Sequence, residues 1–296
     1  MQKVSILHLI TAAKNASPFD VNMAFDAGFD KVMPYTNIEL TEVEALTQDA
    51  MFSRSPSGIK REALFFGGRD IHLALDMQNA AKNSMFTPFE MSTMADPSGA
   101  FTTAAAMLAK IDAQLKQMNQ TLAQQTIAIF GASGTVGSTA ALIAATQTAT
   151  VQLVAHRDMA SMQIYADKLQ ARYDVKLQVV DGTSDVTKAT VSANATVAIC
   201  AASAGLRVLK TADFIQSSSL KIMADVNAVA PSGIEGLEVM SDGDQIAGSH
   251  ILGIGAPALG QLKYKTQQQM LQQMLAAEGP QHLNYQHAFA MARDLI

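Results

Sequence analysis

The sequence predicts an α/β chain of two domains, the second a doubly wound parallel sheet, and three observations carry that prediction. Short apolar runs alternate with amphipathic stretches of helical spacing; an apolar run ends in glycines at 131, 134 and 137; and a polar stretch at 119–125 separates two alternating regions. Strand and helix in alternation imply parallel strands with helices on both faces.

In the first region the expected strands are Ser5–Ile10, Lys31–Tyr35, Ala63–Gly67 and Glu90–Met94. Between them Pro18–Ala27, Thr41–Met51 and Asp70–Ser84 place apolar residues at helical spacing. Phe101–Met118 reads as a long helix, Ala-rich at its start, and the domain junction is expected after it. From Thr126 the alternation resumes, with strands at 126–130, 151–155, 176–180, 196–200 and 221–224. The expected helices between them are 135–147, 159–173, 184–192 and 211–215. A Gln- and Met-rich helix at 262–278 and a last helix at 286–295 close the chain. The expected division is a first α/β domain over 1–120, a Rossmann-type domain over 121–256, and C-terminal helices over 257–296 that pack back on the first domain and bridge the cleft.

Bulk properties narrow the function classes. At 296 residues and 49% apolar content the chain can bury large cores. A net charge of −5 with mixed signs gives no basic footprint for nucleic acid. No uninterrupted apolar stretch of about 20 residues suits a membrane span, and the run Ser5–Ile10 is too short, with no cleavage site after it, for a signal peptide. The one cysteine, Cys200, lies in an apolar run and reads as a buried strand residue. A soluble, reducing compartment is expected, most simply the cytoplasm.

The segment Thr126-Ile-Ala-Ile-Phe-Gly-Ala-Ser-Gly-Thr-Val-Gly137 has the order of a dinucleotide-binding turn. Gly131 would allow the tight exit from the strand, Gly134 the approach of phosphates to backbone, and Gly137 close packing of helix on strand. The helix after it would turn its N–H groups and dipole toward the anion. Its spacing is GxxGxxG rather than GxGxxG, and a purely structural glycine turn is the other reading. The candidate cofactor-binding set is Gly131, Ser133, Gly134, Thr135, Val136, Gly137, His156, Arg157, Ala201 and Asn227. A ribose with a free 2′-hydroxyl usually meets an acid at the end of the second strand, whereas a 2′-phosphate needs a cation there. Here that strand ends in His156-Arg157-Asp158, which favours NADP and leaves NAD open.

The six histidines are scattered, so no metal site is expected. Neither a GxSxG elbow nor a Cys/His pairing suggests nucleophilic catalysis. The remaining polar clusters are Ser17-Pro-Phe-Asp20, Asp96-Pro-Ser-Gly-Ala-Phe-Thr-Thr103, and Lys263 with Lys265. Each also has a bland reading: Ser17, Pro18 and Asp20 as a helix start, Thr102 and Thr103 as first-turn residues, the lysines as surface charges.

These segments, with Leu46-Thr-Gln-Asp49, Phe52-Ser-Arg54, Phe66-Gly-Gly68, Ala224-Asp-Val-Asn-Ala228 and Gly253-Ile-Gly255, resemble the bacterial NAD(P)-dependent methylene-tetrahydromethanopterin dehydrogenases along nearly the whole chain. The resemblance is nearer the branch accepting both NAD and NADP, although an arginine near position 157 is a mark of the strictly NADP-dependent branch. It implies a pterin-binding first domain and oxidation of methylene- to methenyl-tetrahydromethanopterin in one-carbon metabolism, in the direction of formaldehyde oxidation. It also implies a homo-oligomer. By similarity Asp20 and Lys263 are the catalytic candidates, and Asp20, Asp96, Thr102, Thr103, Lys263 and Lys265 the pterin-binding ones, in a cleft between domains. Hydride loss from the methylene carbon moves no proton, which fits a chain without a clear acid–base pair. A methylene-tetrahydrofolate dehydrogenase of the same architecture and a non-catalytic NADP-binding protein are the competing readings.

Overall fold

A computed structural model describes residues 4–296 of the protein. The first elements are β1 (Ile6–Ile10), α1 (Pro18–Asp26), β2 (Lys31–Tyr35), α2 (Val43–Phe52), a single turn α3 (Pro56–Ile59), β3 (Glu62–Phe66), α4 (Ile71–Ser84), β4 (Ser92–Ala95) and α5 (Ala100–Gln117). There follow β5 (Thr126–Phe130), α6 (Thr135–Thr146), β6 (Thr150–Ala155), α7 (Met159–Tyr173), β7 (Gln178–Asp181), α8 (Asp185–Asn194), β8 (Val197–Cys200) and β9 (Ile222–Asp225). The chain closes with β10 (Asp242–Gln245), β11 (Leu252–Ile254), α9 (Ala256–Ala276), β12 (His282–Leu283) and α10 (Tyr285–Asp294).

Two compact units emerge among the described residues, one of residues up to 102 with 264–295 and the other of 103–263 with the last residue. The division falls inside α5 and α9. The first unit holds a five-stranded sheet in the order β12-β4-β3-β1-β2, with every pair parallel. Its centre is dry: Leu7, Leu9, Leu64, Phe65 and Phe66 are buried. The C-terminal residues belong to this unit because β12 extends the sheet beside β4, and the Gln78 amide bonds the Leu283 carbonyl at 2.8 Å.

The second unit holds seven strands in the order β10-β11-β9-β8-β5-β6-β7, parallel except for β10. Apart from that edge it is the doubly wound dinucleotide-binding order, reversing between β5 and β8. Ile127, Ala128, Ile129 and Phe130 of β5 are all buried, as a central strand covered on both faces requires.

Some expectations need correction. The helix expected at 211–215 is one 3₁₀ turn, Thr211–Asp213. The helix expected from 262 begins at Ala256, so Pro257 occupies its first turn, where a missing N–H costs nothing. Strands β10, β11 and β12 were not anticipated.

Cys200 is buried on β8, beside Asp225 of β9. Burial, then the Asp225 carboxylate, pushes its thiol up to about 12. The thiolate is the reactive form, so Cys200 is expected to resist an alkylating reagent at pH 8 in the folded protein and to react once the chain is unfolded. Mass spectrometry of the native and denatured protein checks this, and rapid native labelling would contradict it.

Candidate functional site

In the second unit the glycine loop leads from β5 into α6 at the point where the strand order reverses. Gly131 has φ +82°, and a Cβ there would lie 2.6 Å from the Ala201 carbonyl carbon and oxygen. Only glycine lets the exit of β5 pass so close to the exit of β8. Gly134 is the N-cap of α6 without a side-chain cap of its own, which leaves first-turn N–H groups for an anion. A Cβ on Gly137 would overlap the Gly131 carbonyl, so the helix seats against the loop only because that atom is missing. Ser138 fixes the arrangement, its hydroxyl donating to the Gly134 carbonyl at 2.7 Å and lying 2.6 Å from the Tyr165 hydroxyl.

A cavity of about 420 Å³ opens over this loop. Of the sequence-derived cofactor residues, Gly131, Ser133, Gly134, His156, Arg157 and Ala201 line it. Thr135, Val136 and Gly137 form the adjoining first turn of α6. Asn227 lies outside this lining: its amide donates to the Pro231 carbonyl at 3.1 Å and its oxygen accepts from the Val229 N–H at 2.9 Å, shaping the loop after β9. Gly182, Thr183, Lys188, Ser203, Leu206 and Arg207 also line the cavity and were missed by sequence reasoning. They come from distant segments, and only the strand order, which sets the exits of β7 and β8 beside that of β5 and β6, could have flagged them.

The lining contains no carboxylate, although the chain carries five more acidic than basic residues. Asp158, the first acid in sequence after β6, is the N-cap of α7 and accepts from the Ala160 and Ser161 N–H groups at 3.1 and 2.9 Å. Hydrogen bonds from Ser161, then Ala160, hold its carboxyl below the usual range. It is thus engaged in its own helix. Arg207 is tied to Glu235 at 3.1 Å and to the Ser232 carbonyl at 2.7 Å, whereas His156 and Arg157 are exposed and make no hydrogen bond among the described residues. What the arrangement offers is a glycine turn at a helix N-terminus that could cradle an anion, with cationic side chains lining the same cavity.

In the first unit the sheet order reverses between β1 and β3, and a cavity of about 310 Å³ lies at their carboxyl ends, lined by Ala12, Ala13, Gly67, Gly68 and Asp70 among others. Ser17 caps α1, with Pro18 in its first turn, so that part of the bland reading holds. Asp20, one turn in, is buried; its Oδ1 accepts from the Gln267 amide at 2.9 Å, and a Cβ on Gly67 would lie 3.8 Å from its Oδ2. Asp96, directly after β4, is fully buried and caps α5. Its Oδ1 accepts from the Phe101 and Thr102 N–H groups at 2.9 and 3.2 Å, and its Oδ2 from the Thr102 hydroxyl at 2.6 Å. The structure therefore brings Asp96 and Thr102 together as a pair. Ser98, held at φ +53°, donates to the Gly68 carbonyl at 2.7 Å and closes the same end of the sheet. Thr103 is half-buried on α5; on α9 Lys263 is half-buried and Lys265 exposed. Lys263 precedes Gln267 by four residues, so the two share a face of α9.

Among the described residues no group of three His, Cys, Asp or Glu could hold a metal, and no helix is long and apolar enough to cross a membrane.

Comparison with known proteins bears on the family. A family model described as methylene-tetrahydromethanopterin dehydrogenase, N-terminal, matches residues 18–98, the span from α1 to the turn after β4. Among solved structures, ornithine transcarbamoylase from Giardia lamblia matches with a TM-score of 0.55 at 8% identity, over 94% of this chain and 88% of that one, a likeness of fold alone. The bifunctional protein MdtA of Methylorubrum extorquens is 29% identical over 262 residues, 84% of each chain. The NAD(P)-dependent methylenetetrahydromethanopterin dehydrogenase of the same organism is 40% identical over 292 residues, 98% of each chain. With that identity along almost its full length, the chain belongs to the family of NAD(P)-dependent methylenetetrahydromethanopterin dehydrogenases.

Proposed function

We propose that this protein oxidises methylene-tetrahydromethanopterin to the methenyl form by hydride transfer to NAD(P)+. The observation that carries the reading is the full-length match to a dehydrogenase of that name. The glycine cradle supports it independently, since Gly131 and Gly137 stand where a Cβ would close the turn. A bound nicotinamide supplies the hydride acceptor. The methylene carbon becomes part of an amidinium-like cation shared by two nitrogens, so no side chain has to take a proton. What the chain's residues do is hold donor and acceptor in register and exclude water.

In this reading the dinucleotide lies on the second unit. Asp20 and Lys263 contact the pterin; Asp96 and Thr102, each satisfied by the other, shape the end of α5; Thr103 and Lys265 lie toward the rim of the pterin site. The dinucleotide rests on Gly131, Ser133, Gly134 and the first turn of α6, with Arg157 at the 2′-phosphate of NADP and Asn227 acting through the loop that it shapes. A methylene bridge is at the oxidation level of formaldehyde and its product at that of formate, which suits a step of formaldehyde oxidation. The lone buried thiol suits the cytoplasm. Exposed Phe52 and Phe86, whose ring centroids are 5.9 Å apart, with Phe89 beside them, provide an aromatic surface for a homo-oligomer.

Steady-state rates with methylene-tetrahydromethanopterin and methylene-tetrahydrofolate, each with NAD and NADP, test the reading. Turnover is expected with the methanopterin substrate, and a strong preference for the folate would sink the assignment. Arg157→Ala is expected to raise the KM for NADP about 10- to 100-fold, the loss of a charged hydrogen bond of roughly 1.5–3 kcal/mol, and to leave that for NAD unchanged. An unchanged NADP value removes Arg157 from the site.

A further inference from the structure

We propose that Lys188, at the start of α8, is a second determinant of NADP recognition, completing with Arg157 a subsite for the ribose 2′-phosphate. The inference rests on the reading that the cavity over the glycine loop holds the dinucleotide. Ala155, at the end of β6, pairs with Asp181, at the end of β7, and the Gly182 N–H donates to the Ala155 carbonyl at 2.9 Å. A side chain on Gly182 would strike Val154, so the loop leaving β7 lies directly against the end of β6, beside His156 and Arg157. That loop carries the chain into α8, and Lys188 lines the same cavity as His156 and Arg157.

The acids near Lys188 are engaged elsewhere. Asp181 accepts from the Thr183 N–H at 2.8 Å, and that bond holds its carboxyl below the usual range. Asp185 is taken by Lys210 at 2.6 Å, which lowers its carboxyl likewise, and it stands 3.8 Å from the Lys188 ammonium, beyond hydrogen-bond reach. Among the described residues the Lys188 ammonium makes no hydrogen bond, and its side chain is only 21% exposed. A half-buried ammonium with its donors unspent, in a cavity without a carboxylate, suits a dianion. A 2′-phosphate offers three oxygens, enough for the Arg157 fork and the Lys188 ammonium together, whereas a 2′-hydroxyl would leave Arg157 without an anion and Lys188 with only the loose Asp185 pair.

Titration of the whole protein with 2′-phospho-ADP-ribose and with ADP-ribose tests this without pterin or turnover, so it reads separately from the assignment of the reaction. The wild-type protein is expected to bind the phosphorylated fragment more tightly. Lys188→Gln is expected to weaken that fragment about 10-fold or more and to leave ADP-ribose unchanged. Lys188→Arg, which keeps the charge, is expected to retain the preference. Equal weakening of both fragments, no weakening of either, a wild type that does not distinguish them, or a loss in Lys188→Arg as large as in Lys188→Gln would each overturn the proposal. Melting temperatures close to wild type are expected, because the Lys188 ammonium makes no hydrogen bond and its ion pair with Asp185, at 3.8 Å, is loose.

Discussion

Gly131→Ala is expected to cost the protein its dinucleotide affinity while leaving the chain folded. The added methyl meets two obstacles at once. The backbone sits at φ +82°, where an L side chain costs about 1–2 kcal/mol. It also meets backbone that cannot swing aside as a side chain would: the Ala201 carbonyl and the Ala202 nitrogen, each 2.6 Å from the new carbon. Ala201 is itself tied back, its N–H donating to the Phe130 carbonyl at 2.8 Å. The exits of β5 and β8 must therefore part, and the cradle opens where the pyrophosphate is to lie. The Kd for NADP is expected to rise by about 100-fold or more, a loss of roughly 2.7 kcal/mol. The melting temperature should fall by about 4–12 °C for a strain of roughly 2–3 kcal/mol. Gly134→Ala separates the two effects. Its Cβ would lie 3.3 Å from the Gly131 carbonyl, tight but in an ordinary backbone conformation, so binding should suffer more than melting. Isothermal titration beside thermal unfolding checks both variants, and unimpaired NADP binding in Gly131→Ala would remove the loop from the cofactor site.

The strand–loop–helix unit around Gly131 was legible because everything it needs is local. Ile127 to Phe130 form an unbroken apolar run, as a strand buried on both faces must, and the glycines fall at the three positions where a Cβ meets backbone. Strand β6 and helix α7 were legible for similar reasons, with Asp158 marking the helix start. Strand β10 was not. Asp242-Gly-Asp-Gln245 has no residue that favours a strand, its Gly243 sits at φ +101°, and it is extended only because β11 offers an unpaired edge. Strand β12 is two residues long and exists by pairing with β4, about 190 residues earlier. Such pairings are tertiary, and no window of sequence holds them.

The candidate sites divide in the same way. His156 and Arg157 were read from their place at the end of a strand, a local cue. Lys188 and Thr183 were invisible because their relation to the glycine loop runs through the order β5-β6-β7. Asp96 and Thr102 are neighbours in a motif, but the 2.6 Å bond between them is a matter of side-chain geometry that the motif does not hold.

Lys263→Ala is expected to lower kcat/KM for the pterin by about 10²–10³-fold, roughly 2.7–4 kcal/mol of transition-state stabilisation, and to leave the Kd for NADP within a factor of about two. The lysine is half-buried on α9, one turn before Gln267, whose amide holds the buried Asp20 carboxylate at 2.9 Å. In the transition state the donor carbon becomes cationic, and an ammonium directly beside it would oppose the reaction. On the proposed reading Lys263 is expected to act on a heteroatom of the pterin away from that carbon, and the Asp20 carboxylate to favour the developing cation by its charge. Two consequences separate this arrangement from a purely structural lysine. Lys263→Arg, which keeps the charge and changes the geometry, should recover part of kcat, because a structural role in α9 would be met equally by either side chain. Asp20→Asn should lower kcat more than it raises the pterin KM, since the amide keeps a hydrogen-bonding group near Gln267 but removes the negative charge. Single-turnover rates beside NADP titration distinguish the outcomes. A Lys263→Ala variant that loses cofactor affinity as steeply as pterin turnover would place the lysine at the dinucleotide instead.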